Sequence, residues 1–569
     1  MTEMQTTSGD NSRNLIQAEG GTLETVKGIH IVRLKGSDYD MGRQHGLLAA
    51  EVCGDIVPEY FDSFLKTLVA HTAPALAGPA ATMLKNLFYY LNRQRIGRQL
   101  PDHTRGMCDV QGMNARHYAK MLLVPDILHY LIGKAMPMFV PPMGCSGFMA
   151  RDNATADGRL LVGRNFDFYG KGVWNTNNAL IIFEPKGKQK YCWMGSLGLP
   201  ASGQAMNESG LIVSLHTHFT RDVRIKGMPL YALFVNILET CTCLEEAVRL
   251  IKAQPRICGL SMFIVDTRAR DAAVVGFSAG KQEVLRPEND VLIRTNHYLT
   301  PRMKAWEVVP LQFTLNTEGR YSRIQQLITE KYGNLTPDDI PAVLADRTDF
   351  RENRKCLGGN ILCATNNAYS AVFSPEDDAL WVARGPFPVC AAETFTGFNI
   401  AALFSGQRDR YAVDDLTGGA DYTPDEHAAL MLYEDAWEAH FDDLRDDKAV
   451  FYLRRAMALA PHEPIIPKMA GFLLLRGKKF VQALPFFEKN AAFAGHSDLM
   501  RAEALIWLGR CLDLAGRRKD ALAAYEQCAG LQAPPISEAA RRHLDRPYRL
   551  RELSKISPEF IVGSVFAKY

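Results

Sequence analysis

The sequence lacks an excess of charge of either sign. Its 569 residues include 65 Lys and Arg against 63 Asp and Glu, so the formal net charge is only +2. It also has no basic run with interleaved aromatic residues. We therefore expect no nucleic-acid partner, because proteins that bind nucleic acid gather Lys and Arg on one surface. Hydrophobic residues make up 47% and charged residues 22%, which is typical of a folded protein with a sizeable core.

Long hydrophobic runs are also missing. The first residues, MTEMQTTSGDNSRNLIQAEGG, are polar and contain no apolar core of the kind that secretory signals carry. The most apolar long stretch, Met121–Met143, is interrupted by Asp126, Lys134 and several prolines. It is a poor membrane span. We expect this stretch to be a buried helix or one wall of an apolar pocket.

Cysteine is too scarce and scattered for a disulfide framework. The chain has 12 cysteines and no CxxC pair, which favours a reduced, cytoplasmic protein. His216 and His218 alternate along a predicted strand, but no third metal ligand accompanies them. The segment GFSAGK (276–281) lacks the spacing of a phosphate-binding loop. We expect neither a metal nor a cofactor.

The sequence pattern changes along the chain and divides it into parts. Residues 1–25 are predicted to be a disordered tail. Residues 26–415 are predicted to form one domain, mostly helical over 26–144 and built of short strands over 145–415. Strand hairpins with helices segregated between them favour the α+β class. A capping box that starts a helix is expected at Thr242 and Glu245.

The predicted strands have the alternation or the short apolar runs that strands require. They are Gly28–Lys35, Leu160–Gly163, Ala179–Glu184, Lys190–Gly195, Leu211–His216, Met262–Asp266, Ala272–Phe277, Val291–Arg294, Ala368–Phe373 and Ala379–Ala383.

Residues 420–545 are predicted to be all helical. Thr423, Pro424 and Glu426 fit the N-cap, first and third positions of a helix. An internal repeat follows, in which Gly477, Ala483 and Phe487 are echoed by Gly516, Ala521 and Tyr525, with the alanine and aromatic positions recurring 38 residues apart. The repeat predicts a tetratricopeptide-like appendage that can dock a protein partner; an ordinary helical bundle is the alternative. Residues 546–569 are predicted to be a C-terminal tail.

The segment GCSGFMARDNATADGRLLVGRNFDFYG, residues 144–170, carries the most specific chemistry. A cysteine is a good nucleophile only as a thiolate, so it needs a base and a nearby cation. If the chain is cut before Cys145, the new α-amino group, with an ordinary pKa of about 7.7–8.0, is available as that base. Gly144 permits unusual backbone angles. A following hairpin is expected to bring Arg164 to the thiolate and Asp167 to the new ammonium group.

This combination resembles a known family. GCS followed by GRNFDF is similar to the signature of the cysteine N-terminal-nucleophile hydrolases, which include choloylglycine hydrolases, penicillin V acylases and acid ceramidase. The resemblance is closest to the isopenicillin-N N-acyltransferase-like group and runs from about Ile29 to Pro386. Further segments match in order: IVRLKGSDYDMGRQHG, GQAMNESGLIVS, RTNHYL, YSRIQQL and ATNNAYSAVFSPEDDALWVARGPFP.

The resemblance implies a fold and several roles. The fold would be a four-layer αββα sandwich, with the helical repeats outside it. Asn296, in RTNHYL, would donate to the oxyanion hole. Arg323, in YSRIQQL, would be an active-site arginine, although Arg320 and Arg302 compete for that place. A second oxyanion donor falls near His216 and Thr217, and His297 would contact substrate or pack behind the site.

The sequence thus predicts an enzyme that cleaves its own Gly144–Cys145 bond. The mature enzyme would be a cysteine amidohydrolase or N-acyltransferase that acts on a small-molecule amide or acyl donor through an acyl-thioester on Cys145. One alternative is a catalytically inactive scaffold or binding protein that uses the helical repeats. Another is a thiol esterase or thioesterase.

Overall fold

The computed structural model describes residues 15–53, 66–67, 77–96, 99–134, 143–168, 177–198, 202–553 and 556–569. Within these residues, two large β-sheets and many helices make up the fold. The expected mixed α+β class is confirmed. No helix in these ranges is long and apolar enough to cross a membrane.

Ten strands form the first sheet, in the order β1-β2-β3-β6-β7-β8-β9-β10-β11-β12. All neighbours are antiparallel except β3 and β6, which run parallel in register from His30 opposite Ala179. The strands are Ile16–Ala18 (β1), Gly21–Val26 (β2), Ile29–Gly36 (β3), Asn178–Pro185 (β6), Tyr191–Ser196 (β7), Gln204–Asn207 (β8), Leu211–Thr217 (β9), Leu260–Asp266 (β10), Asp271–Phe277 (β11) and Gln282–Leu285 (β12).

The prediction that residues 1–25 form a disordered tail is wrong for residues 15–25. Strands β1 and β2 pair with each other and extend the sheet from β3. Leu23 is buried in the core. The sequence does not reveal this hairpin because its buried apolar side chains, Leu15, Ala18, Leu23 and Val26, are separated by polar residues and glycine.

Seven antiparallel strands form the second sheet, in the order β13-β4-β5-β16-β17-β18-β19. They are Val291–Arg294 (β13), Met143–Asp152 (β4), Gly158–Phe168 (β5), Asn367–Ser374 (β16), Ala379–Ala383 (β17), Thr394–Asn399 (β18) and Ala412–Thr417 (β19). A small separate pair consists of Thr348–Asp349 (β14) and Arg354–Lys355 (β15).

The two sheets pack face to face. Alternate residues of each strand point to opposite faces, so one set fills the space between the sheets and the other packs against helices. In β10, Phe263 and Val265 join a core shared with Val162 and Phe373 of the second sheet. The intervening Ile264 belongs to the larger core that includes the helices. Helices therefore cover the outer face of each sheet.

The helices on the first sheet are Asp38–Cys53 (α1), Ala77–Asn92 (α2), Gln99–Gln111 (α3), Ala115–Met121 (α4), Val124–Lys134 (α5), Leu230–Thr240 (α6) and Leu244–Ala253 (α7). Those beside the second sheet are Pro301–Lys304 (α8), Leu311–Glu330 (α9) and Ile340–Leu344 (α10), and Ile400–Ser405 (α11) follows β18.

The capping box predicted at Thr242 and Glu245 is wrong by one residue. The amide and hydroxyl of Thr242 both donate to the Glu246 carboxylate, whereas Glu245 pairs with Arg286. Helix α7 begins at Leu244 after Cys243 as N-cap. The helix starts one residue later than expected, which moves the carboxylate that can reach back to Thr242.

The C-terminal region is helical, as expected. Thr423 and Glu426 form the predicted capping box of its first helix. The helices are Pro424–Phe441 (α12), Asp446–Leu459 (α13), Ile465–Arg476 (α14), Phe480–Ala491 (α15), Asp498–Leu514 (α16), Arg518–Ala529 (α17), Ile536–Asp545 (α18) and Leu550–Leu553 (α19). The sequence repeat has a structural counterpart, because Gly471 of α14 packs on Phe487 of α15 as Gly509 of α16 packs on Tyr525 of α17.

The prediction of a C-terminal tail over residues 546–569 is also wrong. Ser557–Glu559 (β20) and Ser564–Phe566 (β21) pair as a hairpin. Phe560, Val565 and Phe566 are buried. These apolar side chains return the chain end to the core, so the last residues are part of the fold.

Candidate active site

The site is built around the hairpin of β4 and β5. The antiparallel register places Cys145 opposite Phe166 and Gly147 opposite Arg164. Cys145, Arg164 and Phe166 therefore lie on the same face of the sheet, the one turned toward the first sheet. Asp167 alternates with Phe166 and faces the helix side. The thiol and the carboxylate thus approach the Gly144–Cys145 peptide from opposite faces.

Arg164 joins the thiol to the first sheet. Its Nη2 lies 3.4 Å from the Cys145 Sγ and donates to the Leu215 carbonyl at 2.6 Å. Its Nη1 donates to the Gly203 carbonyl at 2.7 Å. Burial raises the pKa of the Cys145 thiol, and the Arg164 charge opposes that rise. The cation required to stabilise a thiolate is in place, as the sequence predicts.

Asn296 binds the peptide nitrogen of Cys145. Its Oδ1 accepts from the Cys145 N–H at 2.8 Å and from Arg320 Nη2 at 2.9 Å. Two donors on one atom identify it as the oxygen, so the Asn296 Nδ2 faces the other way. That Nδ2 donates to the carbonyl and the hydroxyl of Thr217, at 3.1 and 3.2 Å.

Arg320, rather than Arg323, is the helix-α9 arginine at the site. Arg320 Nη1 donates to the Cys145 carbonyl and the Ser146 hydroxyl, both at 2.8 Å. The expected residue, Arg323, instead pairs with Asp346 at 2.8 Å, and Arg302 is exposed. Residues three apart on a helix are offset by only about 60° around its axis, so it is the packing of α9 that turns Arg320 toward β4 and Arg323 toward Asp346.

Asp167 has one free oxygen near the Gly144–Cys145 bond. Its Oδ1 accepts from Asn367 Nδ2 at 2.9 Å. Its buried Oδ2 has no hydrogen-bond partner among the described residues, and a Cβ on Gly144 would stand 3.1 Å from it. Burial raises the pKa of this carboxyl, against the pull of the Arg320 charge. Asp167 is therefore placed to receive a new donor beside Gly144.

Gly144 meets a steric requirement instead of the expected conformational one. It lies within strand β4 and has no positive φ. A Cβ there would also come within 3.4 Å of Arg320 Nη2. Glycine is needed because Asp167 and Arg320 crowd the helix side of the strand at this position.

The three histidine and threonine candidates differ in position. Thr217 lines the cavity at Cys145 and contacts Asn296. His216 is buried against Gly147, and burial beside Arg164 lowers its pKa well below the ordinary value. The His297 Nδ1 lies within 3.2 Å of the Thr295 and Thr317 hydroxyls and its ring contacts Tyr321. His297 thus packs behind Asn296.

An apolar cavity opens at the thiol. The Met121–Met143 stretch forms one wall of it, as expected, through residues of helix α5 and Met143. The described lining residues are Val124, Pro125, Leu128, His129, Met143, Gly144, Cys145, Phe166, Asp167, Phe168, Gly203, Leu215, Thr217, Leu230, Tyr231 and Leu260. Across the described ranges, no cluster of three or more His, Cys, Asp or Glu side chains could hold a metal ion.

Residues 154–386 match the family model of acyl-coenzyme A:6-aminopenicillanic acid acyltransferase. The match covers less than half of the chain and shows that this part is similar to the acyltransferase family. The resemblance noted in the sequence is confirmed. The matched range contains Arg164, Asp167, Asn296 and Arg320, and it begins shortly after Cys145.

Other similarities are more distant. An uncharacterized protein of Archaeoglobus fulgidus is 23% identical over 350 residues, covering 56% of this chain and 57% of that protein. Protein dcd1B of Dictyostelium discoideum is 21% identical over 269 residues, covering 44% and 50%. The chain thus spans about half the length of the curated relatives it matches. A Caenorhabditis elegans N-acylethanolamine-hydrolyzing acid amidase ortholog aligns at 15% identity and a TM-score of 0.29, covering 41% of this chain and 93% of that one.

Two residues of the site, Arg320 and Asn367, do not follow from the sequence pattern. Arg320 was only a competitor of Arg323, and Asn367 was not singled out. Asn367 donates to Asp167 and accepts from the Cys390 amide at 2.8 Å, which orients its side chain. The available signal was its place in ATNNAYS, at the start of the strand that pairs with the end of β5.

Proposed function

We propose that this protein is an autoproteolytic cysteine amidohydrolase or N-acyltransferase with Cys145 as its nucleophile. The observation that carries the proposal is the convergence of four buried groups on one peptide bond. Arg164 lies at the Sγ, Asn296 at the amide nitrogen, Arg320 at the Cys145 carbonyl and Asp167 beside Gly144. A structural cysteine has no need of two arginines, whose burial is costly.

In the first stage the chain cuts itself. The Cys145 thiol adds to the Gly144 carbonyl, its proton passes to the departing amide nitrogen, and a thioester replaces the peptide bond. Water then hydrolyses the thioester. The products are the Gly144 carboxylate, the free thiol and a new α-amine on Cys145. Asn296 accepts from that nitrogen already in the uncut chain, which supports its role in holding the amine.

In the second stage the new amine is the base. It takes the thiol proton, and the thiolate attacks the carbonyl carbon of the substrate amide. Asn296 Nδ2, which donates to Thr217 in the uncut chain, then exchanges that partner for the oxyanion, an effect of about 3–4 kcal/mol for such a donor. The ammonium then protonates the leaving amine, and Asp167 orients it. The acyl-thioester passes to water or to an acceptor amine.

The cavity supports an apolar acyl group as the part of the substrate bound next to the thiol. Its walls are mostly aromatic and aliphatic side chains, among them Leu128, Phe166 and Tyr231. Apolar pockets with a few placed polar groups are the usual form of small-molecule sites. We therefore propose an acyl donor with a hydrophobic chain.

The test is to trap the acyl group. Wild-type protein is incubated with a panel of fatty-acyl anilides and matched esters, then digested and mapped by mass spectrometry. The acyl group should appear on Cys145, and its formation from anilides should disappear in Cys145→Ala and persist in Cys243→Ala, a control at a partly exposed cysteine. Turnover of esters alone would instead identify a thiol esterase, and turnover that survives Cys145→Ala would refute the nucleophile.

We also propose a finer description of the fold. The helix, sheet, sheet, helix order supports the four-layer sandwich of the N-terminal-nucleophile hydrolases. The matching glycine–aromatic contacts of α14–α15 and α16–α17 support a tetratricopeptide-like pair of units, and so a surface for a protein partner.

A further inference from the structure

The C-terminal hairpin of β20 and β21, residues 557–566, returns to the catalytic domain. The Phe560 carbonyl accepts from the Tyr433 hydroxyl at 2.6 Å. At the turn, Gly563 lies against Ile465 and the backbone of Gly359. The Gly359 carbonyl in turn accepts from Asn316 Nδ2 at 2.8 Å. Asn316 belongs to α9, the helix that carries Arg320.

The hairpin closes a second cavity next to Gly144. One side of this cavity is formed by the catalytic hairpin and α9, and the other by residues near the chain end. The described lining residues are Met143, Gly144, Asp167, Phe313, Asn316, Arg320, Ala364, Glu559, Ile561, Val562 and Phe566. Met143, Gly144 and Asp167 also line the apolar cavity at the thiol. The two cavities are therefore separated by the segment that autoproteolysis would release.

We propose that the C-terminal hairpin forms the amine-side half of the substrate cleft and that Glu559 selects a positively charged group there. The inference rests on the proposed function, because release of Gly144 from Cys145 is what would join the two cavities past the thiol. The acyl chain of the substrate would lie in the apolar cavity and the amine portion in the second one.

The polar groups of the second cavity argue for a cationic amine portion. Arg320 is already occupied, since its Nε, Nη1 and Nη2 all donate to protein oxygens. In the proposed mechanism, Asp167 binds the Cys145 amine. Glu559 is the remaining carboxyl, and its Oε1 accepts only a 3.2 Å bond from the Ile561 amide among the contacts found in the described residues. A carboxyl so placed favours a ligand that donates hydrogen bonds and carries positive charge.

The protonation of the Glu559 carboxyl is consistent with a site that binds a cation. Burial raises the pKa of the Glu559 carboxyl to about 8, so the empty site keeps it largely neutral near pH 7. A bound ammonium would favour its carboxylate form, because an opposite charge at short range stabilises the ionised state. A neutral amine portion would gain no such contact.

The experiment compares two substrates with one acyl chain, N-octanoyl-ethylenediamine and N-octanoyl-propylamine, on the wild type, Glu559→Gln and Glu526→Gln. Glu559→Gln keeps the shape of the side chain, and Glu526 is an exposed control on α17. The wild type should favour the cationic substrate in kcat/KM. Glu559→Gln should lower that preference by about 10- to 100-fold, as expected for one charged hydrogen bond, and Glu526→Gln should leave it unchanged.

Octanoyl-p-nitroanilide, whose amine portion is uncharged, separates this inference from the proposed function. If the wild type cleaves the anilide through Cys145 but shows no preference for the cationic amide, or if Glu559→Gln keeps the preference, the amine-side subsite is refuted and the amidase stands. If the anilide, the propylamide and the cationic amide are all left intact and Cys145 takes up no acyl group, the proposed function itself fails.

Discussion

At the scale of single residues, Arg320 and Arg323 provide a matched pair. Arg320 donates to the Cys145 carbonyl, Ser146 and Asn296, whereas Arg323 pairs with Asp346 away from the site. A lysine at 320 cannot reach these acceptors together. Arg320→Lys should slow the appearance of cleaved chain in freshly synthesised protein by about 10²–10³-fold, the loss typical of one charge-stabilising donor.

Arg323→Lys is the control for that experiment. It should leave the cleavage rate unchanged and lower the free energy of unfolding by no more than about 1 kcal/mol, the usual value of a partly exposed ion pair. Equal cleavage rates in the two variants, measured by denaturing electrophoresis over time, would contradict the assignment of Arg320.

Gly144 offers a second prediction at this scale. A Cβ at this position would meet Asp167 Oδ2 at 3.1 Å and Arg320 Nη2 at 3.4 Å, so Gly144→Ala must displace the groups that act on its own peptide bond. We expect self-cleavage to slow by about 10²-fold, because small misplacements of reacting groups have effects of that size. Gly78→Ala, where a Cβ meets nothing within 4 Å, should cleave normally. A Gly144→Ala protein that is cut at the wild-type rate would refute the steric argument.

The predicted site residues that the structure brings together stand in recognisable local patterns. Cys145, Arg164 and Asp167 belong to one hairpin, so strand alternation alone brings them together, and Asn296 lies directly after the neighbouring strand β13. Arg320 could not be chosen over Arg323 in the same way. That choice depends on how α9 is rotated against β4, which long-range packing decides.

At the scale of elements, helices α1 and α3 contain buried histidines. We expect these histidines to make the stability of the folded protein depend on pH. His45 of α1 hydrogen-bonds with His103 of α3 at 3.1 Å, and burial lowers the pKa of His45 from 6.5 to about 4. The unfolded chain binds a proton near pH 6.5 and the folded chain does not, so stability present above pH 6.5 is lost as the pH falls toward 4. The loss attributable to His45 is about 3 kcal/mol at most.

The measurement is Tm against pH in the uncut Cys145→Ala protein, with and without His45→Asn. The Tm of the parent should fall more steeply between pH 6.5 and 4 than that of the variant. Carboxyls with raised pKa, such as Asp126, act in the opposite direction but are common to both proteins. Parallel curves would show that His45 is not the sensor.

The helix pairs of the C-terminal region depend on close contacts at glycine. A Cβ on Gly509 would stand 2.5 Å from the Tyr525 ring, whereas one on Gly78 of α2 meets nothing. Gly509→Ala should therefore lower the free energy of unfolding by about 1–3 kcal/mol through overpacking. Gly78→Ala should raise it by up to about 1 kcal/mol, since alanine favours the helix. Denaturant unfolding followed by circular dichroism measures both, and a neutral Gly509→Ala would contradict the tight packing.

Elements were predictable where the periodicity was strong. Strands such as Met262–Asp266 and Ala272–Phe277 coincide with β10 and β11 almost to the residue, because buried strands read as apolar runs. The hairpin of β1 and β2 is not predicted because polar residues separate its buried apolar side chains. The predicted N-cap of α7 is wrong by one residue, because the local sequence does not determine whether Glu245 or Glu246 accepts hydrogen bonds from Thr242.

At the scale of the whole molecule, a buried polar cluster connects the two-sheet domain, the C-terminal helical region and the chain end. Glu503 of α16 pairs with Lys468 of α14 at 3.0 Å and accepts from the Ser564 hydroxyl. Gln312 of α9 donates to the Tyr569 hydroxyl at 2.5 Å. Lys468→Met would leave the Glu503 carboxylate buried without its cation. We expect a loss of about 3–5 kcal/mol in the free energy of unfolding.

Lys448→Met provides the contrast, because it breaks an exposed pair with Asp443 that is worth about 0–1 kcal/mol. Adding Glu503→Gln to Lys468→Met should restore part of the stability, since it removes the unpaired charge. Denaturant titration of the wild type, the two lysine variants and the double variant measures these free energies of unfolding. Equal losses for Lys468→Met and Lys448→Met would show that the buried cluster does not stabilise the contact between the domains.

The overall organisation was only partly predictable. The change from strands to helices near residue 420 is visible in the sequence, but nothing in residues 546–569 indicates a return to the active site. That return depends on contacts such as Gln312 to Tyr569, which lie far apart in the chain. Glu559 and Gly144 therefore line one cavity through tertiary contacts, and the sequence pattern does not predict it.

The central claim is that Cys145 becomes a chain terminus and thereby acquires its own base. Intact-mass measurement of the purified wild type and of Cys145→Ala tests it most directly. The wild type should give two fragments, residues 1–144 and 145–569, with Cys145 as the first residue of the second, and Cys145→Ala should give one uncut chain. An uncut wild-type chain that still hydrolyses amides through Cys145 would contradict the account.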